Sequence, residues 1–326
     1  MKRFNSAALR RKRIRMKVNH NTYFVLFHRS WIDTMMYLLL ILQQIIASST
    51  HLVAKNATSI LHPLHVVLVR GMWTCIAFGI WYFFKRQTLP NIERRDYRML
   101  IFLALINIPV NQLFFIWGVR YTTAPNAALA YALTPTFVVM FEAIARRTWP
   151  TATRLLGIGL AVTGTIIVLA EKGITLATAS LLGDIMVLCA SASWALYTMI
   201  GRPLATKYGG IYTTSLTFFL GLLLYIPVWF VLDTLPGLDH SGGGLPVALT
   251  VLPQLFYLGA ITSGVGYALW YVALTRLDSS KVAVFNNLQP IFTTVLAFIV
   301  FGTEPTVYFV VGGVIALIGV IVAQRD

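Results

Sequence analysis

Ten apolar segments follow one another along the chain, each close to the roughly 20 residues that span a bilayer as a helix. They cover 35–54, 64–84, 99–119, 124–145, 152–170, 181–201, 211–232, 252–274, 281–301 and 305–324. Of the 326 residues, 57% are hydrophobic and 11% are charged, against roughly 25% charged residues in a soluble domain. A globular core of this size cannot bury so many apolar side chains. The sequence therefore predicts an all-α polytopic membrane protein with ten transmembrane helices.

The second half of the chain repeats the first at a constant offset of 155 residues. Pro135 matches Pro290, and Pro150–Thr151 matches Pro305–Thr306. Each half holds five predicted crossings, an odd number, so the second copy must enter the membrane upside down. Inverted repeats of this kind are common in secondary transporters and place the binding site at the repeat interface. The offset also aligns two stripes of small residues that favour close helix packing, Gly157, Ala161 and Gly164 with Gly312, Ala316 and Gly319.

The predicted organisation is a basic tail at 1–30, a first five-helix repeat at 31–175 and a second at 176–326. Of the 26 Lys and Arg residues, 22 fall on the side of the tail, which holds nine of them and no acid. By the positive-inside rule, both termini are cytoplasmic in a cell (inner) membrane. The tail is interpreted either as an orienting arm or as a segment held near anionic lipid headgroups. The three basic residues predicted on the opposite side are Lys55, Arg120 and Lys172.

Several short motifs follow one another between residues 35 and 324. In chain order they are Ser48–Ser49–Thr50 to Lys55, Arg70, Ala127–Ala128–Leu129 to Pro135, Ser193–Trp194–Ala195–Leu196–Tyr197, Gln289–Pro290 and Phe301–Gly302–Thr303–Glu304–Pro305–Thr306. Together they resemble the drug/metabolite transporter superfamily, in its ten-helix form with two EamA-type repeats. This resemblance implies a membrane transporter of small organic metabolites. Trp149 stands where the second copy has Glu304, so a role of that Glu in the family does not transfer to the first half.

The sequence contains no enzyme signature, P-loop or metal-ligand spacing, which argues against an enzyme, a cofactor or a metal site. His51, His62 and His65 lie near the outer ends of the first two segments and are interpreted as interfacial residues. Cys75 and Cys189 lie inside apolar runs and are interpreted as buried thiols. The net charge of +15 comes from residues at segment ends. The expected partners are therefore a small-molecule substrate and the lipid bilayer, without nucleic acid, in a monomer or homodimer.

Charged residues within the apolar segments are rare, and Arg70 is the best single candidate for a functional one. A charge near the middle of the bilayer costs about 2.5–3.5 kcal/mol, so Arg70 should face the bundle interior or extend toward the surface. With Lys55 it forms either an outer vestibule for a carboxylate or phosphate, or a pair of interfacial anchors. Glu142 precedes Arg146 by four residues, a spacing that favours an ion pair. Asp184, at a segment end, is expected to be solvated.

Uncharged polar residues and prolines cluster near the middle of several segments. An amide in hydrocarbon is costly unless it is paired or faces water, and a proline frees a backbone carbonyl. These residues predict a substrate site between the repeats, although contacts between helices explain any single amide or ring equally well. The candidates are Gln44, Asn111, Asn286 and Gln289, the aromatic residues Tyr131, Trp194, Tyr197, Tyr267 and Trp270, and the helix kinks Pro109, Pro135 and Pro290.

In the ninth segment, helical spacing places Asn286, Gln289 and Pro290 on one side and Asn287 about 100° away. The shared side is predicted to line the cavity, and Asn287 to bond a neighbouring helix. The favoured function is a secondary transporter, a permease or exporter, that moves an amino acid or related amphipathic compound by alternating access. The alternatives are a transporter of a phosphorylated solute such as a nucleotide sugar, a membrane enzyme, or a subunit of a complex.

Overall fold

A computed structural model of the chain describes residues 34–85, 90–170, 179–235, 243–302 and 304–323. Within these residues the chain folds into ten apolar helices without a β-strand, and every predicted segment is a helix. The basic tail at 1–30 lies outside the described residues. The helices are α1 Thr34–Ile60, α2 Pro63–Lys85, α3 Arg94–Tyr121, α4 Ala124–Arg146, α5 Ala152–Ala170, α6 Ala179–Tyr208, α7 Gly210–Thr234, α8 Leu245–Leu274, α9 Ser279–Phe301 and α10 Val307–Ala323.

Eight of the ten helices are long and apolar enough to cross a membrane, and α5 and α10 are apolar over shorter stretches. Large apolar side chains cover the outside, including Phe83 (78% exposed) and Ile299 (70% exposed). The interior instead holds buried amides such as Asn107 and Gln112. An apolar exterior, with the polar side chains kept inside the packed core, is what a bundle needs when its solvent is lipid. The chain is a multi-pass membrane protein.

The small-residue stripes pack against each other, as the sequence predicts, and join α5 to α10. A Cβ atom placed on Gly157 would come within 2.2 Å of the Ala323 backbone nitrogen, and one placed on Gly319 within 2.2 Å of the Ala161 nitrogen. The two backbones therefore touch, which only glycine permits here. The two equivalent helices of the repeats close against each other at this contact.

Two helix irregularities recur at equivalent places in the two halves. The third helix of each half contains a π-helical stretch, Ile106–Gln112 in α3 and Tyr257–Gly266 in α8. Pro109 explains the first of these, because it has no N–H to bond the preceding turn. The fourth helix of each half is interrupted just before a proline. In α4 the interruption falls at Leu133, ahead of Pro135, and in α9 it is the 3₁₀ turn Val284–Leu288, ahead of Pro290.

Three expectations about individual residues are wrong. Cys75 is buried as predicted, but Cys189 is exposed on the outer surface of the bundle. Asp184 is buried rather than solvated, because α6 packs against α3 and Thr122 donates a hydrogen bond to its carboxylate. No ion pair joins Glu142 to Arg146 among the described residues. Both side chains instead line a crevice of about 320 Å³ that α4, the α4–α5 connection and the start of α9 form together.

Candidate functional site

A small cavity lies at the centre of the bundle, where helices of both halves meet. It measures about 50 Å³ as the space open to the centres of water molecules, enough for about three to five waters. Seven helices contribute to its wall, six of them through one or two residues each. The lining residues are Gln43, Ala47, Thr50 and His51 of α1, Arg70 of α2, Asn111 and Phe115 of α3, Tyr131 of α4, Trp194 of α6, Thr262 and Tyr267 of α8, and Gln289 of α9.

Arg70 supplies the positive charge of the cavity. Its side chain is buried, with the residue only 2% exposed. Its Nε donates to the Ser263 hydroxyl at 2.7 Å and its Nη2 to the Thr262 hydroxyl at 3.4 Å. The third nitrogen, Nη1, has no hydrogen-bond partner among the described residues. No carboxylate lines the cavity within the described part of the chain, so the hydrogen-bond partners of the guanidinium are neutral hydroxyls.

The close approach of α2 and α8 puts Arg70 within reach of those hydroxyls. A Cβ atom on Gly259 would lie 2.6 Å from the Arg70 carbonyl oxygen, so a larger residue there would separate the helices. Thr74 ties the two backbones together by donating to the carbonyl oxygens of Arg70 at 2.8 Å and Gly259 at 3.0 Å. The π-helical stretch of α8 begins next to this contact. Such stretches are frequent at functional sites because they redirect side chains within a helix.

His51 occupies the wall of the same cavity. It is 2% exposed, and its Nε2 lies 3.0 Å from Oε1 of Gln289 on α9. Its Nδ1 has no hydrogen-bond partner among the described residues. The ring packs edge-on against Phe115 and Tyr131, with ring centroids 5.3 and 5.7 Å apart. The prediction that this histidine is interfacial is therefore wrong, because α1 extends to Ile60 and leaves His51 well inside the helix.

A chain of amides behind His51 links α1 to α9. Gln289 Nε2 donates to Asn286 Oδ1 at 3.1 Å, and Gln44 Nε2 donates to the same oxygen at 3.1 Å. Gln44 also donates to Gln43 Oε1 at 2.6 Å. In α9, Asn286 thus bonds the neighbouring helix, whereas Oδ1 of Asn287 has no partner within the described residues, so the role predicted for Asn287 belongs to Asn286.

Two tyrosines and one asparagine form the opposite polar wall. Asn111 Nδ2 donates to the Ala190 carbonyl oxygen at 2.7 Å and lies 3.1 Å from the Tyr131 hydroxyl. The Tyr267 hydroxyl donates to Asn111 Oδ1 at 3.3 Å. The π-helical stretch of α3 contains Asn111, and the last residue of the corresponding stretch in α8 immediately precedes Tyr267. Thr262, within the α8 stretch, also lines the cavity, so both irregular stretches present a polar group to the centre.

Aromatic rings close the remaining side of the cavity. Trp194 lies edge-on to Tyr267 at a centroid distance of 4.7 Å and forms the cavity surface. Tyr197 and Trp270 stand behind it, at 5.6 and 5.3 Å from the Trp194 ring. They are buried and hydrogen-bonded there, Tyr197 to Thr217 at 2.6 Å and Trp270 Nε1 to Thr198 at 3.1 Å. Both rings therefore pack against Trp194 without lining the cavity.

Six of the eleven predicted substrate-binding residues line the cavity, namely Arg70, Asn111, Tyr131, Trp194, Tyr267 and Gln289. Four others form the shell behind them, Gln44, Asn286, Tyr197 and Trp270. Lys55 does not join Arg70 in a vestibule, because it lies further along α1 and donates to the Arg120 carbonyl oxygen at 2.7 Å. Sequence reasoning missed Gln43, Ala47, Thr50, His51, Phe115 and Thr262. The α1 residues among them are spaced three and four apart and so share one face of the helix. This spacing is the sequence signal from which the cavity-facing side of α1 could be predicted.

The other two histidines of this region lie apart from the cavity. Nδ1 of His65 accepts a hydrogen bond from Trp229 at 3.0 Å, and its Nε2 lies 3.4 Å from the Asp233 carboxylate. His62 packs beside it, with ring centroids 6.0 Å apart. No group of His, Cys, Asp and Glu side chains in the described part of the chain has the arrangement of a metal site.

Comparison with known proteins assigns the chain to a family. The sequence model of the EamA-like transporter family matches twice, at residues 34–170 and 181–324, and so covers almost the whole helical bundle. The chain belongs to the EamA-like transporter family. The two matched stretches correspond to α1–α5 and α6–α10, the two halves that the internal duplication defines.

Relatives of this EamA-like protein are similar over most of its length. An uncharacterized transporter of Archaeoglobus fulgidus is 27% identical over 287 residues, which cover 87% of this chain and 95% of the relative. A probable terminal-alkyne amino-acid exporter of Streptantibioticus cattleyicolor is 26% identical over 234 residues, 71% of this chain and 74% of the relative. One solved crystal structure shares the fold, with a TM-score of 0.64 over 90% of this chain and 98% of its own, at 14% identity.

Proposed function

We propose that this EamA-like protein is a secondary transporter whose substrate is an amino acid or a closely related compound with a carboxylate. The observation that carries the proposal is the buried guanidinium of Arg70, whose Nη1 has no partner among the described residues and which faces a cavity without a lining carboxylate. An arginine in this state favours an anionic ligand, because a carboxylate accepts hydrogen bonds from the guanidinium and offsets its charge.

The rest of the cavity suits the other parts of an amino acid. The face of an aromatic ring attracts an ammonium group, and Phe115, Tyr131, Trp194 and Tyr267 all contribute to the wall. Asn111 and the tyrosine hydroxyls add acceptors for its N–H groups. The name of the Streptantibioticus relative, an amino-acid exporter, agrees with this chemistry. Arg70 is the one cation among the described lining residues, and this single charge and the small cavity favour a carboxylate over a larger phosphorylated solute such as a nucleotide sugar.

The position of the cavity between the two halves of the duplication supports alternating access. In transporters built from inverted repeats, one half rocks against the other and exposes a midplane site to each side in turn. The interrupted helices α4 and α9 form one equivalent pair around this site, and the glycine-lined helices α5 and α10 form another. We place both termini in the cytoplasm of a cell-membrane protein, because 22 of the 26 Lys and Arg residues lie on that side in the proposed topology.

The experiment is transport by liposomes that contain the purified protein, screened with a panel of L-amino acids. Each amino acid is paired with its carboxamide and with its decarboxylated amine, so that only the carboxylate changes. Uptake or exchange of the acid without its two partners supports the proposal. Equal transport of the amine contradicts the role of the carboxylate, transport of a nucleotide sugar alone favours the phosphorylated class, and no transport at all favours a subunit of a complex.

Variants at Arg70 test which residue recognises the carboxylate. A hydrogen bond to a charged group contributes about 1.5–3 kcal/mol, so Arg70→Ala should weaken apparent affinity by about 10- to 150-fold. Arg70→Lys should recover part of the loss, because a lysine keeps the charge but not the planar fork. Arg94→Ala, at an exposed position at the start of α3, is the matched control and should transport like the wild type. Wild-type affinity in Arg70→Ala would remove this residue from the site.

A further inference from the structure

His51 and Arg70 present unsatisfied nitrogen atoms to the same small cavity. Both residues line it, and both are 2% exposed. Both lie against the ring of Phe115, with the His51 centroid 5.3 Å and the Arg70 guanidinium carbon 6.0 Å from the ring centroid. Nδ1 of His51 and Nη1 of Arg70 have no hydrogen-bond partner within the described residues. A buried polar atom without a partner is costly, so two of them beside one cavity indicate a ligand with acceptor atoms.

The neighbours of His51 determine which of its nitrogens carries the proton. Gln289 directs its Nε2 to Asn286 Oδ1, and this leaves its Oε1 facing His51 at 3.0 Å. An amide oxygen only accepts, so Nε2 of His51 is the donor in that contact. In the neutral ring Nδ1 is then a bare acceptor and cannot donate to a carboxylate. Only the protonated ring donates from both nitrogens.

The charged and titratable groups around His51 complete the argument. Arg70 faces it from α2, Tyr131 from α4 and Tyr267 from α8, while α3 and α9 contribute the neutral residues Asn111, Phe115 and Gln289. No carboxylate faces it among the described lining residues. A second positive charge beside Arg70 is therefore unfavourable in the empty site. It becomes favourable once an anion lies between the two groups, because opposite charges attract strongly in a site shielded from water.

We propose that His51 is the proton-binding residue of this site. The substrate carboxylate binds between Nη1 of Arg70 and Nδ1 of His51, and as it arrives Nδ1 takes up one proton from the bulk solution. No bond of the substrate breaks, and proton and substrate leave together when the site opens to the other side. The inference rests on the proposed function for its carboxylate substrate. By linkage, low pH tightens carboxylate binding by the same factor by which the carboxylate favours protonation of His51.

The direct test is a titration of His51 in the purified full-length protein by nitrogen NMR of labelled histidine rings. His51→Gln identifies the signal, and His62→Gln, which removes a histidine outside the cavity, is the matched control. Acetate is the probe, and sodium chloride at equal ionic strength is the blank. The expected result is that acetate moves the midpoint of the His51 titration upward by about one pH unit, equivalent to about tenfold coupling. An unchanged midpoint overturns the inference.

A transport measurement gives a second readout. L-propargylglycine, a terminal-alkyne amino acid, carries no net charge near neutral pH, so its movement with one proton is electrogenic and its movement alone is not. In liposomes the wild type should generate a current with this probe that grows as the pH falls. His51→Gln should carry the probe without current and with a flat pH profile. A wild-type current and pH profile in His51→Gln overturn the inference.

The two tests separate this inference from the proposed function. If acetate moves the His51 midpoint but no amino acid is transported, proton-linked carboxylate binding stands and the amino-acid substrate fails. If amino acids are transported while the midpoint stays in place with acetate, the proposed function stands and the role of His51 is wrong. The acetate effect is measured on the wild-type chain, so the inference stays exposed even if His51→Gln does not fold, in which case His51→Asn identifies the signal.

Discussion

The contact between α5 and α10 yields a quantitative prediction because one helix contains two glycines in opposite situations. A Cβ atom on Gly157 would lie 2.2 Å from the nitrogen and 2.6 Å from the Cα of Ala323, and 2.7 Å from the Gly319 carbonyl oxygen. All three are backbone atoms, which cannot rotate away. A Cβ atom on Gly159, two residues later in the same helix, meets no atom within 4 Å. Gly157→Ala and Gly159→Ala therefore differ in one respect, the contact with α10.

The magnitude follows from two opposing terms. Alanine is favoured over glycine inside a helix by about 0.5–1 kcal/mol, and this gain is common to both variants. Gly157→Ala must in addition push α10 away, and overpacking of a tight contact costs about 1–3 kcal/mol. Because the common term cancels, the free energy of unfolding of Gly157→Ala should be lower than that of Gly159→Ala by about 1–3 kcal/mol. Gly159→Ala should be slightly more stable than the wild type.

The assay is thermal unfolding of the purified variants in one detergent at one protein concentration. A change of 1 kcal/mol in the free energy of unfolding moves the Tm of a protein of this size by about 2–4 °C. The Tm of Gly157→Ala should therefore lie at least about 2 °C below that of Gly159→Ala. Gly319→Ala probes the same contact from α10, where the new Cβ atom would lie 2.2 Å from the Ala161 nitrogen, and should behave like Gly157→Ala. Equal Tm values for the two α5 variants would refute the backbone contact.

Three further predictions concern topology, the amide chain and the polar surface. A reporter fused to the carboxyl terminus should read as cytoplasmic and one inserted at 242–244 as external; the reverse would overturn the proposed orientation. Asn286→Leu should lower the Tm more than Asn287→Leu, since only Asn286 bonds both α1 and Gln289, and equal losses would contradict the amide chain. The hydrogen bond from Lys207 lowers the pKa of Glu93 below its ordinary value of about 4.5. The stability that this carboxylate contributes is therefore fully present above about pH 4.5 and is lost as the pH falls through the lowered pKa. Glu93→Gln should remove that part of the acid-induced loss in a pH series of Tm values.

The helices could be predicted from the sequence because each apolar segment is long enough to identify by itself. The ends of the helices are harder to predict from the sequence, because a helix continues past the hydrocarbon wherever its polar groups find partners. The first helix shows the consequence: it was expected to end near residue 54 but extends to Ile60. That extension moves His51 from the expected interface into the bundle. The π-helical stretch of α8 contains no proline that would predict it, and it includes Gly259, where α2 comes close.

Site residues could be predicted from the sequence where placing the residue in lipid costs much free energy. They could not be predicted where only the packing of the helices places the residue at the cavity. Arg70 is costly near mid-bilayer, so its position alone points inward. Phe115 and Thr262 are ordinary residues of membrane helices, and nothing in their local sequence distinguishes the cavity wall from a helix contact. Tyr197 and Trp270 show the opposite error. The sequence predicts them at the cavity wall, but both pack behind Trp194.

The two halves share their backbone irregularities, but within the described residues only the first half carries the buried arginine. The third helices keep their π-helical stretches, the fourth their interruptions, and the fifth their glycine contact. Matching the first two helices of each half at an offset of 147 places His51 on Thr198 and Arg70 on Thr217. Both threonines are buried and bond aromatic side chains, Thr198 with Trp270 and Thr217 with Tyr197. A second buried arginine at the centre would repel the first and add its own cost of insertion. The first half therefore supplies the buried arginine, and both halves supply aromatic side chains to the cavity wall.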